Sequence, residues 1–486
     1  MSIHKGKQKK LLLILPRLQQ ERDREYRLIK YSRFPPLSLL TLAGLTPADD
    51  WQIIIRDEHL ESGIVDEDVD LVGVQTYISS AYRAYELATL YRKRGAKVVL
   101  GGLHPTSLPD ESAGYADSVC IGPAETVWRD ILHDFNSGSL KKFYRGKCDG
   151  SASMVPLPRR DLINQRLYLI MNTMVTSRGC PNACSFCYKS GFWGKSYYEA
   201  RPIAQLEREL DTVEDGLVFF LDDNLLGNKP HARRLFDALR GSGIVWQAAA
   251  SLDAARDPGY LDEAYAAGCR SLFVGFETIS LANIGQAHKH VNTTIDYGTA
   301  IRRFHDAGIM INSSFAFGFD HDGPDVFDRT VEFTIENRLE TATFHILTPF
   351  PGTQFFEQLE SQGRLMHRNW SRYDTDHAVF LPALMTPEQL EEGHQRAYRE
   401  FLSYGSILRR SLGMPGALKR IMYNVAWMKV DPLWVAIVRT GLMPFARQVL
   451  NRVLWLNTKL AQRHRAEPEV LHFPGERRHE LQKTGS

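Results

Sequence analysis

The chain has 486 residues, of which 43% are hydrophobic and 24% charged, and its formal net charge is +2. This length is too great for one ordinary domain, so two or three domains are expected, with the composition of a globular protein. No stretch reaches eighteen consecutive apolar residues, so no membrane-spanning helix is predicted. The first apolar run, residues 11–15, is too short for a signal peptide and lacks a small-residue cleavage site.

Residues 9–140 predict a first domain of alternating strands and helices. Helix-like segments such as 79–95 show apolar and aromatic residues at spacings of three and four. Five short apolar runs between them are predicted strands, within 9–18, 51–60, 70–79, 97–106 and 117–125. This order predicts a doubly wound parallel α/β sheet, in which ligands bind beyond the carboxyl ends of the strands.

Two of these strand ends carry candidate ligand-binding residues. Gly101 and Gly102 would let the backbone approach a bulky ligand closely. Plain turn glycines explain the same pattern equally well, so both interpretations stay open at this point. The candidates at the two ends are Gln75, Thr76, Tyr77, Gly101, Gly102, His104 and Thr106.

A second α/β unit is predicted after a linker. Residues 141–165 are rich in Gly, Ser, Pro and Arg, which is typical of a linker packed on both of its neighbours. Residues 166–370 then contain six strand-like segments with helical stretches between them, at 171–180, 216–224, 245–253, 271–278, 310–319 and 341–350. In barrels built from such units, cofactors lie at the carboxyl ends of the strands.

A short loop at the start of this unit holds half of the six cysteines. Cys180, Cys184 and Cys187 form a C-x3-C-x2-C spacing, and Gly179 and Pro181 favour a loop. Three thiolates on one loop can hold a metal or an iron–sulfur cluster. A structural zinc site normally needs a fourth ligand, and three buried core thiols are the other alternative. Cysteines grouped in this way favour a reducing, cytoplasmic location.

The loop resembles the cluster motif of the radical S-adenosylmethionine (radical SAM) superfamily. The resemblance implies that the three cysteines hold a [4Fe–4S] cluster whose open iron chelates SAM. An electron from an external donor then cleaves SAM to a 5′-deoxyadenosyl radical. The six βα units suit the partial (β/α)6 barrel of this superfamily. The resemblance also implies SAM contacts at residues for which capping or turn roles are the structural alternative: Tyr188, Asp222, Asp223, Asn224, Glu277 and Gly318.

The first domain resembles the cobalamin-binding domain fused to many radical SAM enzymes. The segments that carry the resemblance are FPPLSLLTLAGL, DLVGVQTY, VVLGGLHPTSLPDE and ADSVCIGPAE, in that order. It implies that the candidates at the third and fourth strand ends line cobalamin. The D-x-H-x-x-G motif that supplies a histidine to cobalt is absent, so cobalamin would bind without a protein histidine. His59 is therefore interpreted as an ordinary loop residue. Glu125 is predicted to lie near the junction of the two domains, where a structural role is at least as well supported as a catalytic role.

The C-terminal part is predicted to be a helical domain, 371–465, followed by a disordered tail, 466–486. Residues 401–465 carry eleven Lys or Arg and one acid, Asp431, which gives a net charge of +10. Together with three tryptophans, this basic helical pattern in 406–465 has two main interpretations: a helical bundle packed on the barrel, which is favoured, and peripheral membrane contact. Nucleic-acid binding is a further alternative and is not favoured.

The resemblances together imply a cobalamin-dependent radical SAM enzyme that methylates an unactivated carbon of a small-molecule or lipid-like substrate. A radical cyclase or rearrangement enzyme with the same cofactors is one alternative. An RNA-modifying radical SAM enzyme is another. The other three cysteines, Cys120, Cys148 and Cys269, are far apart in the sequence. Only one cluster is therefore expected, at the C-x3-C-x2-C motif.

Overall fold

A computed structural model describes most of the chain. The described residues are 8–18, 34–194, 196–213, 216–429, 436–437, 440–449 and 452. Within these ranges the chain forms two six-stranded parallel sheets and one two-stranded antiparallel sheet. The α/β class and the two-unit architecture predicted from the sequence are confirmed.

The first sheet has the strand order β2-β1-β3-β4-β5-β6, with every neighbouring pair parallel. Its strands are β1 (Lys9–Leu15), β2 (Trp51–Asp57), β3 (Leu71–Gln75), β4 (Lys97–Gly101), β5 (Ser118–Ile121) and β6 (Phe143–Arg145). Residues 11–14 of β1 are fully buried, because helices cover both faces of this central strand. β6 lies inside the segment predicted as a linker, which therefore contributes an edge strand to the first sheet.

Five helices accompany this sheet: α1 (Leu37–Leu45), α2 (Ala81–Lys93), α3 (Leu103–Ser107), α4 (Pro109–Ala113) and α5 (Trp128–Asn136). α1 and α5 cover one face of the sheet. α2 covers the other face, together with four side chains from beyond the second sheet, Phe356, Trp370, Tyr373 and Val379. The chain that follows the second sheet thus completes the core of the first.

The second sheet has the order β14-β13-β12-β11-β10-β7, again with all neighbours parallel. Its strands, with the small antiparallel pair β8 and β9, are β7 (Thr173–Met174), β8 (Ser177–Gly179), β9 (Tyr198–Ala200), β10 (Leu217–Phe220), β11 (Val245–Ala250), β12 (Cys269–Glu277), β13 (Met310–Phe317) and β14 (Thr341–Ile346). The strand predicted over 171–180 is split, because the chain leaves the sheet after β7 and pairs β8 with β9.

The helices of this unit are α6 (Tyr188–Trp193), α7 (Ile203–Leu210), α8 (Lys229–Leu239), α9 (Pro258–Ala266), α10 (Leu281–Gln286), α11 (Tyr297–Asp306), α12 (Val326–Glu336) and α13 (Gln354–Ser361). Aromatic stacking runs across the sheet: the ring centroids of Phe276 and Phe315 are 5.4 Å apart, and those of Phe315 and Phe344 are 6.0 Å apart. All three side chains are fully buried. Stacked rings in neighbouring strands keep the strand ends in a fixed register.

Helices α14 (Pro387–Phe401), α15 (Tyr404–Ser411) and α16 (Ala417–Lys429) follow. The buried Arg410 donates hydrogen bonds to the carbonyls of Leu339 and Glu340, and Arg420 pairs with the Glu340 carboxylate. Met443 is fully buried against Leu169 and neighbouring barrel residues. Much of this basic region therefore packs on the barrel, as the bundle alternative predicts.

Two of the three tryptophans, Trp434 and Trp455, and the predicted tail 466–486 lie outside the described residues. Within the described ranges, no helix combines the length and the apolar character needed to cross a bilayer.

Candidate functional site

The three clustered cysteines lie on a loop that begins at a glycine. Gly179 ends β8 with a φ of +79°, and a Cβ atom there would stand 2.2 Å from the carbonyl oxygen of Tyr197 on the partner segment. Only glycine allows this approach and this backbone conformation. The chain therefore turns sharply out of the small sheet immediately before Cys180.

Backbone hydrogen bonds on both sides of Ser185 fix this loop. The Ser185 N–H donates to the Ala287 carbonyl at the end of α10 at 3.0 Å, and the Phe355 N–H at the start of α13 donates to the Ser185 carbonyl at 3.0 Å. The Cys187 N–H donates to the Cys184 carbonyl at 3.2 Å, which closes a turn. Two barrel helices thus hold the cluster loop in one conformation.

Asp222 anchors the strand that leads into the loop. Its carboxylate accepts hydrogen bonds from the Thr176 N–H at 2.9 Å, the Thr176 hydroxyl at 2.8 Å and the Ser177 hydroxyl at 2.5 Å. The side chain is 4% exposed, and burial raises its pKa. Asp222 was predicted to contact SAM, but its oxygens are occupied inside the protein, so its role is to position β8.

The three cysteines are half-buried. Burial raises the pKa of two of their thiols, and neighbouring cations lower it. Burial raises the pKa of Cys184 to about 12, with Lys289 acting in the opposite direction, and burial raises the pKa of Cys187 against the effect of Lys189. Thiolates are the metal-binding form of cysteine, and neighbouring cations favour them. In the part of the chain that is described, no three Cys, His, Asp or Glu side chains converge as they would around one metal ion. Three cysteine thiols on one short loop can bind an iron–sulfur cluster.

Each of these lysines is paired with a carboxylate at a strand end. Lys189 Nζ lies 2.6 Å from Asp223 Oδ1, just beyond β10, and Lys289 Nζ binds Glu277 Oε1 at the end of β12. Asp223 Oδ2 is buried and has no hydrogen-bond partner among the described residues. A buried acceptor without a donor is unfavourable, so it suits a ligand that brings a cationic donor, such as the ammonium group of SAM.

The other predicted SAM contacts divide into two groups. Tyr188, 38% exposed, stands directly after the last cysteine with its ring edge-on to Phe350 at 6.2 Å, and it faces open space. Asn224 is 3% exposed, and its side-chain amide donates a hydrogen bond to the Ser251 hydroxyl and accepts one from the Ser251 N–H. Gly318 is buried, and a Cβ atom there would meet Phe380 and Leu390 at 3.1 Å. Asn224 and Gly318 therefore do not face a ligand, whereas Tyr188, Asp223 and Glu277 remain candidates.

The carboxyl ends of β3 and β4 form the edge predicted to bind cobalamin, and its open residues are Gln75, Tyr77, Gly101, Gly102 and Thr106. The Tyr77 side chain is 40% exposed, and its hydroxyl accepts a hydrogen bond from the Gln75 amide at 3.0 Å. Gly102 has a φ of +107°, and a Cβ atom there would lie 2.9 Å from the Thr76 carbonyl oxygen. We call these five residues the cobalamin edge.

Two predicted cobalamin contacts are not part of this edge. Thr76 and His104 have no exposed surface, so neither side chain can reach a ligand without moving. His104 Nε2 lies 2.8 Å from the Tyr85 hydroxyl and 3.2 Å from Glu111 Oε1, in a network that Trp370 joins through its indole N–H. His104 therefore connects the first domain to the chain after the barrel. The interpretation of His59 as an ordinary residue agrees with its 2.9 Å contact to Asp57.

The cobalamin edge and the cluster loop meet. Helix α3, directly after Gly102, packs against α6, directly after Cys187. Glycines make this approach close: a Cβ atom on Gly191 would lie 2.5 Å from the Gly352 carbonyl oxygen, and one on Gly352 would lie 3.3 Å from Ser107 Oγ. Tyr77 also contributes to the raised pKa of Tyr188, about 12. The two tyrosines are therefore close enough to influence each other electrostatically.

An ion pair also joins the two units. Glu125, in the loop after β5, pairs with Arg178 of β8, two residues before Cys180. The Arg178 guanidinium also stacks over the Trp193 ring at 5.6 Å. This agrees with the structural role considered for Glu125. Sequence reasoning did not find Arg178, Lys189, Ser185 or Lys289; only Lys189 had a signal, its place beside Tyr188 in the motif.

We define the cluster edge as Cys180, Cys184 and Cys187 with Tyr188, Lys189, Asp223, Glu277 and Lys289. Its thiols fit a three-cysteine cluster, and its unpartnered carboxylate oxygen fits the cationic end of SAM. The cobalamin edge, with its two glycines and an exposed phenol, fits a large flat ligand that is held without a histidine on the metal.

Comparison with known proteins gives a consistent result. Residues 31–132 match the B12 binding domain family, and residues 174–334 match the Radical SAM superfamily. The chain is 29% identical to bacteriochlorophyllide d C-12(1)-methyltransferase of Chlorobaculum tepidum, over 78% of this chain and 85% of that one. It is also 29% identical to the C-8(2)-methyltransferase of the same organism, over 81% and 91%.

A solved structure shares the fold. The radical SAM methyltransferase TsrM from Kitasatospora setae, with cobalamin and a [4Fe–4S] cluster bound, superimposes with a TM-score of 0.59 and 15% identity, covering 93% of this chain and all of that one. The chain therefore contains a B12 binding domain and a radical SAM domain, and its cofactors are a [4Fe–4S] cluster, SAM and cobalamin.

Proposed function

We propose that this protein is a cobalamin-dependent radical SAM C-methyltransferase that modifies an unactivated carbon. The observation that carries the proposal is the meeting of the cobalamin edge and the cluster edge around Tyr77 and Tyr188. Two cofactors that act in sequence on one carbon must share one space, since reacting atoms have to lie within a few ångströms of each other.

When bound, the cofactors supply a carbon radical by hydrogen abstraction and a methyl group to quench it. The side chains of this protein do the remaining work. The cysteine loop binds the cluster, Asp223 and Glu277 orient SAM, and the glycines of α3 and α6 bring the two edges together. The aromatic rings of Tyr77, Tyr188 and Phe350 wall the space and exclude water, which protects a reactive intermediate.

We propose a hydrophobic small molecule as the substrate, of tetrapyrrole or isoprenoid type. Two observations support this class. Tyr188 and Phe350 place two aromatic rings edge-on beside the cysteine loop, and the two relatives named above are methyltransferases of bacteriochlorophyllide d. An external one-electron donor completes the reaction.

The direct test is anaerobic reconstitution with iron, sulfide and cobalamin, followed by incubation with SAM that carries a deuterated methyl group. The substrates are a panel of tetrapyrroles and isoprenoids, and mass spectrometry follows the label. Transfer of the intact labelled methyl group to carbon is expected, with no product from the Cys180/Cys184/Cys187→Ala variant. A substrate that loses hydrogen or closes a ring without gaining label would contradict methyl transfer and favour the cyclase alternative.

We also propose peripheral membrane contact through the C-terminal helices of this otherwise cytoplasmic enzyme. Support comes from five apolar side chains on α15, α16 and the turn between them that are 44–71% exposed: Tyr404, Leu408, Leu412, Leu418 and Met422. Exposed Arg409 and Lys419 lie beside them, as expected of a helix on an anionic surface.

Flotation with anionic and with neutral liposomes tests this contact. The full chain should float with anionic liposomes, and a variant with Leu408, Leu412, Leu418 and Met422 changed to serine should not. Equal flotation of the two proteins contradicts membrane contact through this surface.

A further inference from the structure

The pair formed by Glu277 and Lys289 is built into a distorted part of the barrel. The pairing of β12 with β13 shifts register between Gly275 and Glu277, and Glu277 has a φ of +63°. A glutamate is strained in this left-handed conformation, and strain of this kind persists only where the surroundings enforce it. The distortion turns the carboxylate of Glu277 toward Lys289.

Gly275 lies directly against the Glu277–Lys289 ion pair. A Cβ atom on it would lie 2.3 Å from Glu277 Oε1 and 2.6 Å from Lys289 Nζ. A side chain at this position would displace the ends of both charged side chains from where they now lie. The amide of Asn292 then donates to the carbonyls of Gly275 and Phe276, at 3.2 and 2.8 Å, and fixes the strand end from the other side.

Lys289 is itself held in a second strained segment. The preceding residue, His288, has a φ of +51°, and Lys289 is 8% exposed. Its N–H donates to the Ile284 carbonyl at 3.2 Å, and its carbonyl accepts from the Asn292 N–H at 2.9 Å. The ammonium group is thereby fixed near Cys184, because Ser185, the next residue of the cysteine loop, donates its N–H to the carbonyl of Ala287, two residues before Lys289.

The second lysine of the cluster edge lacks this construction. Lys189 follows Tyr188 in the first turn of α6, and its side chain is 24% exposed, compared with 10% for that of Lys289. A charge acts more strongly on its neighbours when water is excluded from around it. Of the two lysines, Lys289 is therefore the one whose charge is better shielded from water.

We propose that Lys289, held in place by Glu277, raises the reduction potential of the cluster from the side of Cys184. The reduction transfers one electron from an external reductant to the oxidised cluster, and no covalent bond forms or breaks. The cluster gains one negative charge, which a fixed positive charge beside it stabilises, because net charge and burial are among the factors that set cluster potentials. Glu277 positions the ammonium group and offsets part of its charge. The proposal requires the cluster alone and is independent of methyl transfer.

The test is a redox titration of the reconstituted holoenzyme without SAM, with the reduced cluster followed by electron paramagnetic resonance. Lys289→Met should lower the ratio of reduced to oxidised cluster at a fixed potential by about tenfold, a shift of about 59 mV to more negative potential for one electron. Lys289→Arg keeps the charge and should stay near the wild-type potential. Glu277→Gln removes the offsetting negative charge and should shift the potential in the positive direction.

The matched control is Lys229→Met, which removes a lysine from an exposed pair with Asp257, 41% and 39% accessible. Its potential should equal that of the wild type. Iron and sulfide are quantified in every variant, so that loss of the cluster is separated from a change in its potential. If Lys289→Met does not retain iron, the direction in which Glu277→Gln shifts the reduction potential tests the proposal. An unchanged potential in Lys289→Met with full iron overturns the proposal, and so does a negative shift in Glu277→Gln.

Discussion

The cobalamin edge and the cluster edge are both carboxyl ends of parallel strands, yet they are built from opposite kinds of residue. The cobalamin edge has glycines, a glutamine, a threonine and a phenol, and no charged side chain. The cluster edge has two lysine–carboxylate pairs around three thiols. One edge therefore selects its ligand by shape, and the other by charge.

The difference follows from the ligands that each edge must hold. A large flat corrin needs close backbone approach, which glycines such as Gly101 and Gly102 would allow. A cluster of thiolates and the zwitterionic end of SAM need fixed counter-charges, and these act strongly where water is excluded. The comparison predicts that charge and pH affect the cluster edge, whereas bulk affects the cobalamin edge.

The largest effect is expected from the cysteines. Changing Cys180, Cys184 and Cys187 to alanine should abolish iron binding, because all the thiolate ligands are lost. Cobalamin binding should be retained, since the cobalamin edge does not use these side chains. Iron, sulfide and cobalamin are quantified after anaerobic reconstitution, with Cys148→Ser as the control that keeps its cluster. Iron retained in the triple variant would contradict the ligand assignment.

Added bulk at Gly102 should have the next largest effect. Gly102→Ala places a methyl group 2.9 Å from the Thr76 carbonyl oxygen at a φ of +107°, with a strain of about 1–3 kcal/mol. We expect cobalamin affinity to fall about tenfold or more, measured by absorbance titration, with iron content unchanged. Gly95→Ala is the matched control, because Gly95 also has a positive φ, +91°, but nothing lies within 4 Å of the added methyl. Equal loss in both variants would mean that backbone strain alone is responsible.

The pH dependence of stability should come from the barrel. Asp322 is 2% exposed at the end of β13, and burial raises its pKa to about 6, from 3.8. The folded state then holds the proton more tightly than the unfolded state, so this contribution to stability is present below about pH 4 and is lost as pH rises through 6. Two units of pKa correspond to about 3 kcal/mol.

Asp322→Asn isolates this contribution, because the neutral side chain does not titrate. The free energy of unfolding of the variant, minus that of the wild type, should increase by up to about 3 kcal/mol between pH 4 and pH 7, measured by urea denaturation. Other carboxylates titrate in the same range, and the difference between the two proteins removes their effect. A difference that does not change with pH would show that Asp322 is ionised throughout.

The smallest effect is expected at the junction between the two edges. Glu125→Gln removes the ion pair with Arg178, whose side chains are 11% and 19% exposed. Iron and cobalamin contents should be unchanged, while the rate of methyl transfer should fall by about three- to tenfold, since one misplaced contact lowers the precision with which the edges face each other. Glu67→Gln, in the surface pair with Lys10, is the control. A loss of iron in Glu125→Gln would mean that Arg178 supports the loop itself.

Much of the fold could be predicted from the sequence, because parallel strands buried on both faces are continuous apolar runs. All the predicted strands were found, the one over 171–180 in two pieces, and the structure adds β6, inside the predicted linker, and β9. β6 was missed because three residues are too few for a recognisable pattern. Among the predicted cofactor contacts, the resemblance did not distinguish residues with accessible side chains from Asp222, Asn224 and His104, whose side chains are buried.

The sequence by itself determined the local features of this protein: the cysteine spacing, the order of strands and helices, and the glycines at the strand ends. These depend on residues that are close together in the chain. Only the tertiary structure decided which charges surround the cysteines, because Lys289 lies more than a hundred residues beyond Cys184 and reaches it through the bulge at Glu277. Ion pairs between distant segments depend on distance and burial, and neither property is encoded in a local pattern.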